Sequence, residues 1–239
     1  MTTQSYVIVA LVAAHLLGDF VLQSKRMADR KTRPHVLIAH ASIVALLSYI
    51  LVGARFVWQV PAVVLATHAL IDFIKVKSKR RGLVAFSIDQ LAHAAVIVVL
   101  AYRIVPTTTP LFWADRFGSI AFDALIVVSG AILATVVAGV VISKAIAPFQ
   151  NQLAGSPETS GFLAGGSTIG RLERFLIFVL VLMGETGAIG FLVAAKSLLR
   201  FGELRHGDRK EAEYVIIGTM WSFACGLVVA LATRAMIGR

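Results

Sequence analysis

Histidine and aspartate recur at four-residue spacing inside the apolar stretches of this chain. His15 and Asp19 are four apart, with Gln23 four further on. His68 and Asp72 repeat the spacing, Asp89 and His93 reverse it with Gln90 alongside, and His40 stands in a separate apolar run. Residues i and i+4 share a helix face, so each pair can point an imidazole and a carboxylate at one spot. An ionisable side chain inside a membrane helix costs about 2.5–3.5 kcal/mol on insertion scales, so such groups are kept with partners and usually for function. Three aspartates and four histidines on four helices are a donor set for one or two divalent cations. His with carboxylate suits Zn, Mn or Fe(II) better than Ca or Mg. A cation with an open position would make hydroxide available near neutral pH.

On this reading Asp19, His68, Asp72 and Asp89 are the expected metal ligands. His15, His40 and His93 are catalytic candidates, as further ligands or as general base. Gln23 and Gln90 serve as hydrogen-bond partners, and Lys75 and Glu185 are candidates to support a ligand or touch substrate. One buried His–Asp pair is more often a satisfied hydrogen bond that orients helices. Three pairs at one depth argue instead for a shared site. Glu185 lies beside Gly184 and Gly187 in the middle of an apolar run.

The elements that must carry these residues are membrane spans. The chain is 58% hydrophobic and only 15% charged, with a mean hydropathy of +0.83; a soluble domain carries about a quarter charged residues. Apolar runs of about 20 residues predict an all-α bundle of about seven spans: 6–23, 35–52, 56–76, 83–105, 119–142, 172–195 and 214–236. At about 1.5 Å per residue, Asp19 and Asp72 lie roughly 6 Å, His40 roughly 8 Å and Asp89 roughly 9 Å from the same membrane face. Residues 106–118 read as an interfacial loop anchored by Trp113. The Gly/Ser-rich stretch 148–170 reads as a connector, dividing a four-span His/Asp-bearing bundle (1–105) from a three-span region (106–239).

The net charge is +10, concentrated between the spans. Lys25, Arg26, Arg30, Lys31 and Arg33 follow the first span, and Lys75, Lys77, Lys79, Arg80 and Arg81 close the third. Such loops stay cytoplasmic, which places the amino terminus outside. They can also hold anionic lipid. No compact basic domain exists outside the spans, so nucleic acid is not an expected partner. The first run has no Lys or Arg before it and reads as a retained span rather than a signal peptide. Cys225, the one cysteine, excludes an internal disulfide and reads as a packing residue. Arg171, Glu173 and Arg174 read as anchors at a membrane end, and His35 and His206 as solvated. A single kinked span over 172–195 is expected around Gly184 to Gly187. Simple alternation then leaves the charged stretch 196–213 outside, against the charge rule; a re-entrant segment would put it inside.

The runs AHLLGDFVLQ from Ala14, THALIDFIK from Thr67 and FSIDQLAH from Phe86 resemble a bacterial membrane-protein family catalogued as a domain of unknown function. GRLERFLI from Gly170, AIGFLVAAKSLLRFGEL from Ala188 and EYVIIGT from Glu213 look like its members too. The resemblance implies a multi-span protein of the bacterial inner membrane. In style, the His/Asp spacing is also similar to inner-membrane metal-dependent hydrolases. The expected function is therefore a metal-dependent hydrolase of a lipid or lipid-linked ester. The alternatives are a proton or divalent-metal transporter, and a scaffold in which the His–Asp pairs only lock the bundle.

Overall fold

The computed structural model describes the backbone of residues 2–54, 56–78, 80–153, 159–204 and 209–238, and their side chains except at 148–153, 159–165, 199–204 and 209–215. Arg55, Lys79 and His206 lie outside the described residues. In hydrocarbon a backbone N–H or C=O finds a partner only within its own helix, so the apolar runs become helices. α1 (Thr3–Leu16) starts at Thr2, whose side chain accepts from the Ser5 N–H, and runs directly into a π-helical turn, π1 (Leu17–Leu22). The short α2 (Lys25–Asp29), capped by Ser24, crosses the first basic loop. α3 (Pro34–Val52) has proline in its first turn, where no N–H is needed, and ends at Gly53 in the left-handed conformation. α4 (Gln59–Ser78) follows, then α5 (Leu83–Val99), which continues into π2 (Leu100–Ile104).

α6 (Phe112–Phe117) is a single short turn of helix that holds Trp113. The Trp113 indole donates to the Ile50 carbonyl at 2.6 Å, which ties this loop to the end of α3. Next come α7 (Ser119–Ile132), π3 (Leu133–Val137) and α8 (Ala138–Leu153), then α9 (Thr159–Met183), α10 (Thr186–Leu204) and α11 (Arg209–Ile237). Six helices among the described residues are long and apolar enough to cross a membrane: Thr3–Leu22, Pro34–Val52, Gln59–Ser78, Leu83–Ile104, Ser119–Ala147 and Ile216–Ile237. The fold is an all-α polytopic bundle. Leu46, Phe73 and Leu91, at 51–67% exposure, are the kind of surface that lipid covers.

The chain forms two compact units, Met1–Ile132 and Leu133–Arg239. Phe122 and Leu125 of α7 pack against the first unit's core. That core joins Tyr6, Val7, Ala10 and Leu11 of α1 to Val44 and Val52 of α3, Val60 of α4 and Leu100 of π2. The close approach of π1 to α3 needs a glycine: a Cβ on Gly18 would come within 2.6 Å of Val44 Cγ2.

Two expectations for the second unit change. The stretch 148–170 is helical on both sides of 154–158, which lie outside the described residues. The single kinked span over 172–195 is instead two helices. Gly184 has φ +86°, its N–H donates to the Val181 carbonyl, and the Glu185 N–H donates to the Leu180 carbonyl. This 6→1, 5→2 pair is a Schellman stop, which ends a helix rather than bending it. Arg234 donates a further bond to Val181 O at 3.1 Å, a cation at the negative end of α9. Beyond the stop α10 turns back along α9, and Lys196 forms an ion pair with Glu173, 23 positions earlier. A straight helix would hold those residues about 35 Å apart.

A hairpin that returned the chain to the face it left would remove the conflict with the charge rule, and labelling tests this. In a Cys225→Ala background, Ser197→Cys should react with a membrane-impermeant maleimide only after the cytoplasmic face is opened. Labelling of intact cells would restore the single-crossing reading.

Candidate metal centre

The first donor set is built from three helices of the first unit. α4 presents His68 and Asp72 one turn apart, both buried, α3 contributes His40, fully buried, and π1 contributes Asp19. Asp19 Oδ1 lies 3.1 Å from His40 Nε2 and 3.2 Å from His68 Nε2, and the two Nε2 atoms are 3.1 Å apart. Asp72 Oδ2 lies 3.6 Å from each of the same nitrogens. Asp19, His40 and His68 therefore converge as a nearly equilateral triangle, with Asp72 Oδ2 beside the two histidines. Gln23 Nε2 lies 3.0 Å from His40 Nε2 and 3.2 Å from His40 Nδ1.

No assignment of protons makes all three edges of this triangle hydrogen bonds at once. Each Nε2 carries either one proton or one lone pair in the ring plane. If both imidazoles donate to Asp19, two N–H groups face each other at 3.1 Å; if one donates to the other, Asp19 loses a donor. Metal–ligand bonds of about 2.0–2.1 Å in tetrahedral geometry give donor–donor edges of about 3.3 Å, close to the observed ones. Asp72 Oδ1 is buried and has no hydrogen-bond partner, which leaves an acceptor free. The residues fit a divalent cation.

A second cluster adjoins the first. The His15 and His93 rings stack with centroids 4.6 Å apart, and His93 lies 4.5 Å from His68. His15 Nε2 donates to Gln90 Oε1 at 3.1 Å, and Gln90 Nε2 donates to Asp89 Oδ2 at 3.0 Å. Asp89 Oδ2 also accepts from Lys75 Nζ at 2.6 Å. His93 Nδ1 donates to the Asp89 backbone carbonyl at 2.9 Å. A cavity of ≈ 20 Å³, room for about one water, is lined by His15, His68, His93, Ser48 and Thr67 against Leu11, Val44 and Val64.

The four-residue pairs thus behave differently from one another. His68 and Asp72 do converge. His15 and Asp19 part company: the π turn beginning at Leu17 takes Asp19 off the α-helical face, so it meets His40 and His68 while His15 meets Gln90. His93 bonds the Asp89 backbone, and the Asp89 carboxylate faces Lys75 and Gln90 rather than the donor triangle. Lys75, at 44% side-chain exposure, reaches back to the site from the membrane face. Glu185 is exposed at the α9 stop in the second unit, and His35 is exposed as expected.

Two charged residues carry more than their sequence positions disclosed. Lys31, one of five cations in a loop, is 8% exposed and places Nζ 2.5 Å from Asp72 Oδ2. Nothing in the run of basic residues separates it from its neighbours. Arg174, expected at a membrane end, is 4% exposed. Its Nε donates to Ala134 O at 2.7 Å, NH2 to Thr135 O at 3.0 Å and NH1 to Ser222 Oγ at 2.9 Å. The accepting carbonyls belong to π3, where the wider helical turn frees them. The one sequence signal is an arginine followed by the apolar run Phe175 to Met183.

No curated protein and no solved structure matches the chain. The motifs from Gly170 onward lie outside the family match, which is confined to the first unit. Residues 7–115, the stretch that holds every member of the His/Asp cluster, match the family described as Protein of unknown function (DUF3307).

Proposed function

We propose that the first unit is a divalent-cation centre, with Asp19, His40, His68 and Asp72 as ligands, in a metal-dependent hydrolase of the bacterial inner membrane that acts on a lipid or lipid-linked ester. The observation that carries this reading is the Asp19–His40–His68 triangle, whose 3.1–3.2 Å edges suit a cation and frustrate hydrogen bonding. Zn, Mn and Fe(II) are the cations this donor set favours. When bound, such a cation polarises a carbonyl or phosphoryl oxygen and makes hydroxide accessible near neutral pH. The chain's own groups hold the rest: Gln23 orients the His40 ring, Lys31 balances the charge of Asp72, and the basic residues around 25–33 and 77–81 can receive an anionic headgroup from the cytoplasmic leaflet.

A transport path is the weaker reading. Such a path needs polar groups at several depths, whereas the cavity beside the histidines is lined largely by Leu11, Val44, Val64 and Leu100. A purely structural role is disfavoured by the frustrated triangle.

Metal analysis of the purified protein by mass spectrometry should find at least one tightly held cation per chain. Asp19→Asn and His40→Ala should lose it and should lower hydrolysis of a lipid phosphoester or acyl ester at least 100-fold. Absence of metal above background after reconstitution would overturn the reading. Metal without hydrolysis of any such ester would retain the centre and reject the hydrolase.

A further inference from the structure

We propose that the bundle holds a second divalent cation, bound by His15, His68 and His93, so that two cations share His68. This rests on the first donor set being a metal centre, and it makes His15 and His93 ligands rather than bases.

The tautomers argue for it. His93 Nδ1 faces a backbone carbonyl, which only accepts, so Nδ1 carries the proton and Nε2 carries a lone pair. That Nε2 is buried and has no hydrogen-bond partner, in a residue 5% exposed. His15 is fixed in the opposite sense. Its Nε2–H faces Gln90 Oε1, and the Gln90 amide is held in that orientation by Asp89 Oδ2. His15 Nδ1 is then the bare nitrogen. Asp89 therefore sets both tautomers, through its carbonyl for one ring and through Gln90 for the other. A partner that fixes a ring and leaves its far nitrogen bare is the usual outer support of a metal-bound histidine. For two cations to share it, His68 gives Nε2 to the first set and Nδ1 to the second as a bridging imidazolate, its ring proton passing to solvent when the second cation binds.

Distances and space agree. One ligand atom from each of the three rings lies within 4.8 Å of the others. Closing such a triangle to edges of about 3.3 Å moves each atom inward by about 1 Å, within the reach of small side-chain rotations. The three rings line the cavity of ≈ 20 Å³, which has room for about one water-sized species and none for a substrate. The neutral imidazoles of His15 and His93 and the bridging His68 ring give three nitrogen donors with one position left open, the ligand count of a catalytic zinc site.

The test is a Co(II) titration of metal-free full-length protein in detergent, followed by visible absorption and checked by metal analysis. Wild type should bind two equivalents in two steps. His93→Gln should bind one, and Gln90→Leu, which releases the His15 tautomer, should weaken the second step about 10- to 100-fold. One equivalent in wild type, unchanged by His93→Gln but lost in Asp19→Asn, would overturn the second site and leave the first standing. No equivalent in wild type would overturn both. Wild-type stoichiometry decides the matter even where a variant fails to fold.

Discussion

Lys31→Met should lower the stability of the metal-free protein by about 3–5 kcal/mol, and a divalent cation should restore much of the loss. The figure is the cost of stripping one member from a buried ion pair and leaving the other charge without compensation. Lys31 and Asp72 are such a pair, with side chains 8% and 1% exposed and charged atoms 2.5 Å apart. Without Lys31, Asp72 Oδ2 faces only the His40 and His68 nitrogens at 3.6 Å. A cation within the donor set supplies the missing positive charge and stabilises the fold by mass action. Thermal unfolding in detergent, with and without Zn, reads the effect. The metal-induced rise in Tm should be larger in Lys31→Met than in wild type. Equal rises would detach Lys31 from the centre, and an unchanged metal-free Tm would refute the ion-pair argument.

Arg174→Ala should cost a further class of stability, about 2–6 kcal/mol, in the second unit. The substitution leaves the Ala134 and Thr135 carbonyls without the guanidinium that they accept from, and hydrogen bonds to a charged group contribute about 1.5–3 kcal/mol each. It also opens a void among Gly139, Gly170 and Gly226, where an added Cβ would lie 3.0–3.2 Å from the arginine side chain. Lysine should recover little. A single ammonium on a flexible stem cannot reproduce three bonds from one planar fork to two carbonyls and the Ser222 hydroxyl. Denaturation of the purified Ala, Lys and wild-type proteins compares them directly. If alanine and wild type unfold together, the arginine is not what holds π3 open.

The two predictions share a physical theme. Both polar centres form where a helix departs from α geometry: Asp19 lies on π1, and the acceptors of Arg174 lie on π3. A π turn has one more residue per turn than the α-helix around it. It therefore rotates the following face and loosens the carbonyls nearby. In the first unit it delivers a carboxylate to two imidazoles, and in the second it delivers two carbonyls to a buried cation.

Much of this architecture is legible without coordinates. The lengths of the apolar runs set the membrane helices to within a few residues at most ends, because hydrocarbon leaves a backbone no alternative to helix. The four-residue spacings and common depth announced a shared polar layer, since buried charge is too costly to scatter. Gly184 was readable as an interruption, and its left-handed φ turned that interruption into a full stop. What local pattern could not supply was which donors meet. The side chain that Asp19 faces depends on a π turn and on how closely π1 approaches α3 at Gly18 and Val44. Lys31 among five loop cations, and Arg174 at the edge of an apolar run, acquire their partners only when helices distant in sequence pack. Helix rotation and register are set by contacts between elements, whereas hydropathy and i,i+4 spacing act along one element. The chain alone thus determined a membrane bundle with a His/Asp layer. The tertiary structure decided that Asp19, His40 and His68 meet in one group and His15, His68 and His93 in another.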